Sequence, residues 1–233
     1  MVINMECLAA LRTMPSNSVD AVITDPPYQI DNTTAGGRNK SPLAKSIQGM
    51  NDEIVDAGIV SGFDPAVLDE LVRVCKRINM YFFCNKAQIP MYLDYFVTGK
   101  KCSFDILKWV KTNTPPTYHG KMLSDTEYCL LFRKGARCMP GSYADASTLY
   151  MSPMNVADKK KYGHPTPKPV LFLRRLVRNC SKPGDVILDP FYGSGAVGEA
   201  CIIEGRTPLG IELVQKHADT ARAREEAAKC KST

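Results

Sequence analysis

Apolar runs and alternations of strand length recur along the chain, with helical spacing between most of them. They predict strands at about 1–4, 19–24, 78–84, 103–110, 126–132, 185–190 and 207–212. DPAVLDELVRVCKR (64–77) opens a helix with Asp64 as N-cap and Pro65 at the first helical position, where a missing N–H is harmless. KPVLFLRRLVRN (168–179) also starts on a proline and is stopped by SKPGD. GAVGEACIIEG (195–205) ends at Gly205, a residue suited to a left-handed C-terminal cap. VQKHADTARAREEAAK (214–229) is a charged helix with an alanine-lined face. Strands alternating with helices predict the α/β class: a doubly wound, mainly parallel sheet of seven strands with helices on both faces. No helical pattern separates 103–110 from 126–132, so these two predict an antiparallel hairpin closing one edge.

Two stretches fall outside this scheme. Residues 29–62 are rich in Gly, Ser, Asn and Thr, and residues 134–167 are irregular and partly basic. Loops this long inside a compact domain are functional or disordered. The chain has 233 residues, enough for one domain with a sizeable core, and residues 1–233 read as a single domain without repeat or linker. A composition of 44% hydrophobic and 23% charged residues is that of a soluble globular protein. No run approaches the roughly 18 apolar residues of a membrane span, so no membrane partner is expected. The opening MVINMECLAAL lacks a basic flank and a cleavage site and reads as no secretion signal. Nine cysteines without a C-x-x-C pair then fit reduced, partly buried thiols in a cytoplasmic protein. His119, His164 and His217 lie far apart without H-x-x-x-H spacing, so no metal site is expected.

Net charge is +6, and its distribution changes the picture more than its size. Residues 100–182 hold 16 Lys/Arg against 5 Asp/Glu, while the remaining 150 hold 14 against 19. A basic segment on a mildly acidic body suits a polyanionic partner, and suits equally a set of solvated loop lysines.

Two motifs carry chemistry. In VDAVITDPPYQI (19–30) an apolar run stops at Asp25, Pro26, Pro27 and Tyr28. In VILDPFYGSGAVGEA (186–200) a strand ends at Asp189, Phe191 follows, and Gly193, Ser194 and Gly195 lead into a helix. Glycines there let the backbone turn sharply and approach a ligand, and the helix start offers amide donors. Gly193, Gly195 and Gly198 satisfy G-x-G-x-x-G, and Glu212 follows 19 residues after Gly193 at the end of the next strand, the spacing of an acid that grips a ribose hydroxyl. This context indicates a nucleoside cofactor. A dinucleotide dehydrogenase fits less well, because Asp189 places a carboxylate where a pyrophosphate would lie and hydride transfer has no use for Asp25–Tyr28. Ligands of doubly wound sheets bind at the strands' carboxyl ends where the winding reverses, so the two motifs share one site if their strands are neighbours.

TDPPY (24–28), HPTPKP (164–169) and LDPFYGSG (188–195), in this order, resemble a DNA amino-methyltransferase with the permuted motif order of the beta class. CLAALRTMPSNSVDAVITDPPY and RVCKRINMYFFCNK extend the resemblance over most of the chain. It implies a Rossmann-like sheet, S-adenosyl-L-methionine as methyl donor without a metal, double-stranded DNA as partner, and leaves a homodimer open. It implies methylation of the exocyclic N6 amino group of adenine in a short duplex site by base flipping and direct transfer. Asp25 and the Pro26 carbonyl would accept the amine's hydrogens, the two prolines would aim them by fixing φ, and Tyr28 would stack on the extruded base. Glu212 would take the ribose hydroxyls, while Asp189, Phe191, Gly193, Ser194 and Gly195 line the cofactor's other end. The resemblance adds Lys168 and Thr166 beside the methionine carboxylate, and Glu6 where relatives usually carry Asp by the adenine. Ala196 stands where relatives often carry Thr.

Target recognition is expected at about 134–163, with 31–50 as a second candidate, and a mobile loop at about 29–62, whose 31–50 part has a composition that permits ordering on DNA. DKKKYGHPTPK (158–168) is placed to contact phosphates; Arg174, Arg175 and Arg178 share that option but suit better the solvent face of a packed helix. Cytosine N4 methylation is the alternative within the class, Asp rather than Ser before Pro-Pro-Tyr favouring adenine. RNA or protein methylation and an inactive nucleic-acid-binding relative are the others.

Overall fold

The computed structural model describes residues 1–28, 62–114, 122–163 and 167–232. Its strands are β1 (Val2–Asn4), β2 (Ala21–Thr24), β3 (Ile78–Cys84), β4 (Ser103–Lys111), β5 (Thr126–Lys134), β6 (Leu149–Ser152), β7 (Val186–Asp189) and β8 (Thr207–Glu212). Its helices are α1 (Cys7–Thr13), α2 (Ala66–Val74), α3 (Ile89–Leu93, continued by a wider turn over Asp94–Gly99), α4 (Tyr143–Ala146), α5 (Val156–Tyr162), α6 (Val170–Cys180), α7 (Ala196–Ile203) and α8 (Gln215–Ser232).

The strands form one sheet in the order β1-β8-β7-β2-β3-β5-β4-β6. Among them β5 alone runs antiparallel to its neighbours, β3 and β4. The α/β class and the mainly parallel sheet stand as the patterning predicts. The eighth strand, β6, adds to the seven expected. It pairs parallel with β4, Lys108 opposite Leu149, so the antiparallel hairpin lies one strand inside the edge. Its more exposed positions are the apolar Leu149 and Met151, so polarity does not mark which way it faces. Helices α1, α3, α4 and α5 span 7, 5, 4 and 7 residues, too few turns for a helical period to show.

The longer helices follow their local signals. Asp64 Oδ1 accepts from the Ala66 N–H at 2.8 Å at the start of α2. Gly205, at φ +73°, follows the end of α7. Alanines 218, 221 and 228 of α8 are buried, as its small-residue face predicts.

All seven residues of β3 are buried, because the sheet is covered on both faces. Met80, Phe82 and Cys84 pack with Leu8 and Leu11 of α1, Leu68 and Leu71 of α2, and Tyr92 of α3. Tyr81 and Phe83 point the other way, into Phe172, Leu173 and Leu176 of α6 and Val197 of α7. Each such apolar side chain contributes about 1.5–3 kcal/mol on burial. From β2 the chain crosses to β3 on one side, and from β7 it crosses to β8 on the other. The winding therefore reverses between β2 and β7, and a crevice opens beyond their carboxyl ends.

Candidate active site

The two motifs meet at that crevice. β2 and β7 are hydrogen-bonded neighbours, with Val22 opposite Leu188. Fully buried Thr24 donates from Oγ1 to Asp189 Oδ1 at 2.7 Å, tying the end of one motif strand to the other. The Phe191 N–H adds a second donor to the same oxygen at 3.1 Å. Even so, burial pushes the Asp189 carboxyl up to about 7, the two donors opposing it only in part.

The loop after β7 turns on glycines. Gly193 has φ +50° and Gly195 φ +76°, and a Cβ on Gly195 would lie 2.9 Å from the Ala221 Cβ. Tyr192 is anchored beneath this loop: its hydroxyl donates to Glu225 at 2.6 Å, and its ring fills the space a Cβ on Gly210 would need. Glu212 reaches back from β8, accepting from the Gly193 N–H at 2.7 Å and the Val214 N–H at 2.8 Å. Buried Ser194 accepts from Arg224 at 3.3 Å, and Phe191 lies against Phe63 with centroids 5.5 Å apart. Glu6 stands just beyond β1, whose Asn4 is opposite Glu212; its carboxylate caps α1, accepting from the N–H groups of Leu8 at 2.8 Å and Ala9 at 2.7 Å.

The other wall is Asp25 to Tyr28. The Asp25 Oδ2 is hydrogen-bonded to the buried Lys168 ammonium. Its Oδ1 is buried and takes no hydrogen bond among the described residues. Burial raises the Asp25 carboxyl above its ordinary range, Lys168 pulls it back, and Glu127 raises it again. Lys168 Nζ is 3.4 Å from the Tyr28 hydroxyl and 5.2 Å from the Phe83 ring centre. Pro26 is buried, and the Pro27 carbonyl accepts from Gln88 Nε2 at 3.1 Å, which pins the turn to the start of α3. A cavity lined by Asp25, Phe83, Pro167, Lys168, Asp189, Phe191, Gly193, Ser194 and Val197 joins the walls. Thr166, and all but Gly62 of the loop expected at 29–62, lie outside the described residues.

Four contributors escape sequence reading: Thr24, Gln88, Glu127 and Lys111. Two of them carry a signal. Glu127 shares its face of β5 with buried Cys129 and Leu131, and Lys111 shares its face of β4 with buried Leu107 and Trp109. A charge on the apolar face of a strand is either paired or functional.

Arg175 is not on a solvent face. It is buried, stacks 5.1 Å from the Phe172 ring centre, and donates to the carbonyls of Ala144 and Leu149, both at 3.2 Å. Arg174 and Arg178 pair with Glu204 at 2.7 and 2.8 Å, and Arg178 reaches Asp145 at 2.9 Å. Arg175 and Arg178 fasten the segment carrying α4 and β6 onto α6, and Arg174 ties α6 to the end of α7. Fully buried Arg224 fastens α5 likewise, bonding Asp158 at 2.8 Å and Glu199 at 2.6 Å with Tyr162 4.1 Å beneath it. The nine cysteines are free and seven are buried. Among the described residues no cluster of three His, Cys, Asp or Glu could hold a metal, and no helix is long and apolar enough to cross a membrane.

A glycine loop, an acid at the end of the following strand and a carboxylate across the winding reversal define a doubly wound α/β protein with its crevice at the switch point. The chain belongs to the N6/N4 DNA methylase family, whose model matches residues 19–223. The type II methyltransferase M.HinfI of Haemophilus influenzae is 25% identical over 241 residues, covering 94% of this chain, which spans 66% of that protein's length. Two solved structures share the fold. The M1.HpyAVI–SAM complex aligns at TM-score 0.66 and 22% identity, over 96% of this chain and 98% of that one. The cytosine-N4-specific PvuII DNA methyltransferase aligns at TM-score 0.71 and 15% identity, over 98% of this chain and 89% of that one.

Proposed function

We propose that this chain methylates the N6 amino group of adenine in a short duplex DNA site, with S-adenosyl-L-methionine as donor and the base flipped into the crevice. The observation that carries this reading is the meeting of Asp25, one of whose buried oxygens takes no hydrogen bond among the described residues, and the glycine loop across the Thr24–Asp189 bond.

The residues present fit the donor. Glu212 at the end of β8 and Glu6 just past β1, whose carboxylates each accept two backbone N–H groups, are the acids for hydroxyl and amino groups of a nucleoside. Asp189, Phe191 and the 193–195 backbone line the middle, and Lys168 and Thr166 are the cation and hydroxyl for an amino-acid carboxylate. When bound, S-adenosyl-L-methionine supplies a methyl group on a sulfonium. The protein's task is to make a weak nucleophile strong. An exocyclic amine shares its lone pair with the ring; an acceptor on its hydrogens localises that pair on nitrogen and takes up the proton released as the new bond forms. Asp25 is that acceptor with the Pro26 carbonyl beside it, the prolines hold both in place, and Tyr28 clamps the base. Flipping costs on the order of a few kcal/mol, which stacking of about 1–3 kcal/mol offsets in part. The carboxylate before Pro-Pro-Tyr favours adenine over cytosine N4.

Incubation with labelled donor and unmethylated duplex DNA, followed by digestion to nucleosides, tests this. Label is expected on adenine N6 and absent with Asp25→Ala, while donor binding persists. Label on cytosine N4 would overturn the choice of base, and no label on DNA the function.

A further inference from the structure

Four charged side chains form one line beyond the carboxyl end of the sheet: Lys111 on β4, Glu127 on β5, Lys168 ahead of α6 and Asp25 after β2. Lys111 Nζ lies 2.5 Å from Glu127 Oε1, Lys168 Nζ lies 3.0 Å from Glu127 Oε2, and Lys168 also bonds Asp25 Oδ2. Their side chains are only 17%, 14%, 6% and 26% exposed. Two ammoniums balance two carboxylates, so removing any one strands a buried charge. The carboxyl acceptors are incompletely used. Glu127 Oε2 meets the Lys168 ammonium at 3.0 Å, and among the described residues Asp25 Oδ1 takes no hydrogen bond.

An ammonium seated on Asp25 makes that carboxylate a poorer acceptor for an incoming amine. Lys168 can leave it where another counter-charge is ready; besides the donor's carboxylate, Glu127 offers one, with Oε2 already 3.0 Å from the ammonium. We propose that Glu127 is a positioning residue for methyl transfer: held by Lys111, it keeps the Lys168 ammonium when that group swings off Asp25, which frees Asp25 for the target amine. This role rests on Asp25 being the amine's acceptor.

The groups facing Asp25 are Lys168 and Tyr28 in contact with it, Glu127 behind Lys168, Asp189 across the strand gap, and the buried Cys84, Cys129 and Tyr92. Burial raises the thiols and phenols further, so they stay protonated while Asp25 titrates. Removing the Glu127 charge leaves Lys168 wholly to Asp25 and draws the Asp25 titration to lower pH. Removing the Lys111 charge adds net negative charge and draws it to higher pH.

The test compares wild type, Glu127→Gln, Glu127→Asp and Lys111→Met by two readouts: thermal unfolding against pH without donor or DNA, and the pH profile of kcat for methyl transfer. For Glu127→Gln the acid limb of kcat should move down by about one pH unit, and kcat should fall roughly ten- to a hundredfold with the KM for DNA little changed. Lys111→Met should move the limb up, and Glu127→Asp should recover part of kcat. The acid-side transitions of the unfolding profiles should move in the same opposite senses. Unmoved kcat limbs in both variants would overturn the proposal, whether kcat falls or holds, and so would unfolding profiles that shift without any change in kcat. A wild type that transfers no methyl group to DNA would overturn the function and this role with it; the unfolding profiles need no turnover and tell that failure from a failure of the charge line alone.

Discussion

Asp189 and Asp25 are both carboxylates at the end of buried strands, and their surroundings set them apart. Asp189 is 3% exposed and its donors among the described residues are neutral, so burial dominates and its carboxyl is held at about 7. Asp25 has an ammonium against it. Because the folded value for Asp189 lies above the unfolded one of about 4, its protonation favours the fold, and the stability it contributes is lost as pH rises from about 4 through about 7. Asp189→Asn should lack that fall, which thermal midpoints of the two proteins across the pH range would reveal. Replacing Thr24 with Val should strengthen the wild-type effect, because it removes the donor that opposes burial at the same oxygen.

At the scale of elements, the loop after β7 and the helix α5 are held in different ways. The loop is shaped by backbone. Gly195→Ala would place a Cβ at φ +76°, 2.9 Å from Ala221, and should cost about 1–2 kcal/mol in backbone strain before any shift of α8. Urea unfolding measures that cost, and a matching loss of donor affinity is expected in equilibrium binding. Among the described residues, helix α5 is held by the buried cation Arg224, between Asp158 and Glu199. Arg224→Met leaves both carboxylates without their partner and should destabilise the protein by about 3–5 kcal/mol. Limited proteolysis should then cut first near 156–162.

For the whole molecule, charge and anchoring divide the basic segment. Arg174, Arg175 and Arg178 are engaged within the fold, whereas Lys160 and Lys161 on α5 are exposed and Lys159 is partly so. Phosphate contacts position a protein on DNA without reading sequence. Replacing Lys159, Lys160 and Lys161 with Gln should therefore weaken binding to all duplexes alike and reduce the salt slope of log K by about 2–3. Titration over a range of salt concentrations checks this; an unchanged slope would place the phosphate track elsewhere.

The α/β class, the long helices, the glycine turn and both acidic loops are legible from the chain alone, because periodicity, capping and backbone sterics act over a few residues. Seven of the eight strands among the described residues follow from their own apolar patterns; β6 does not, because its partner β4 rather than its polarity makes it a strand. The crevice is a different matter. Thr24 and Asp189 are separated by 165 residues and Lys168 and Asp25 by 143, so no local pattern announces their contact. Only the order of strands in the sheet brings them together. It seats Lys168 between Asp25 and Glu127 and turns Arg175 inward, because a buried charge settles wherever the packed fold supplies its partner.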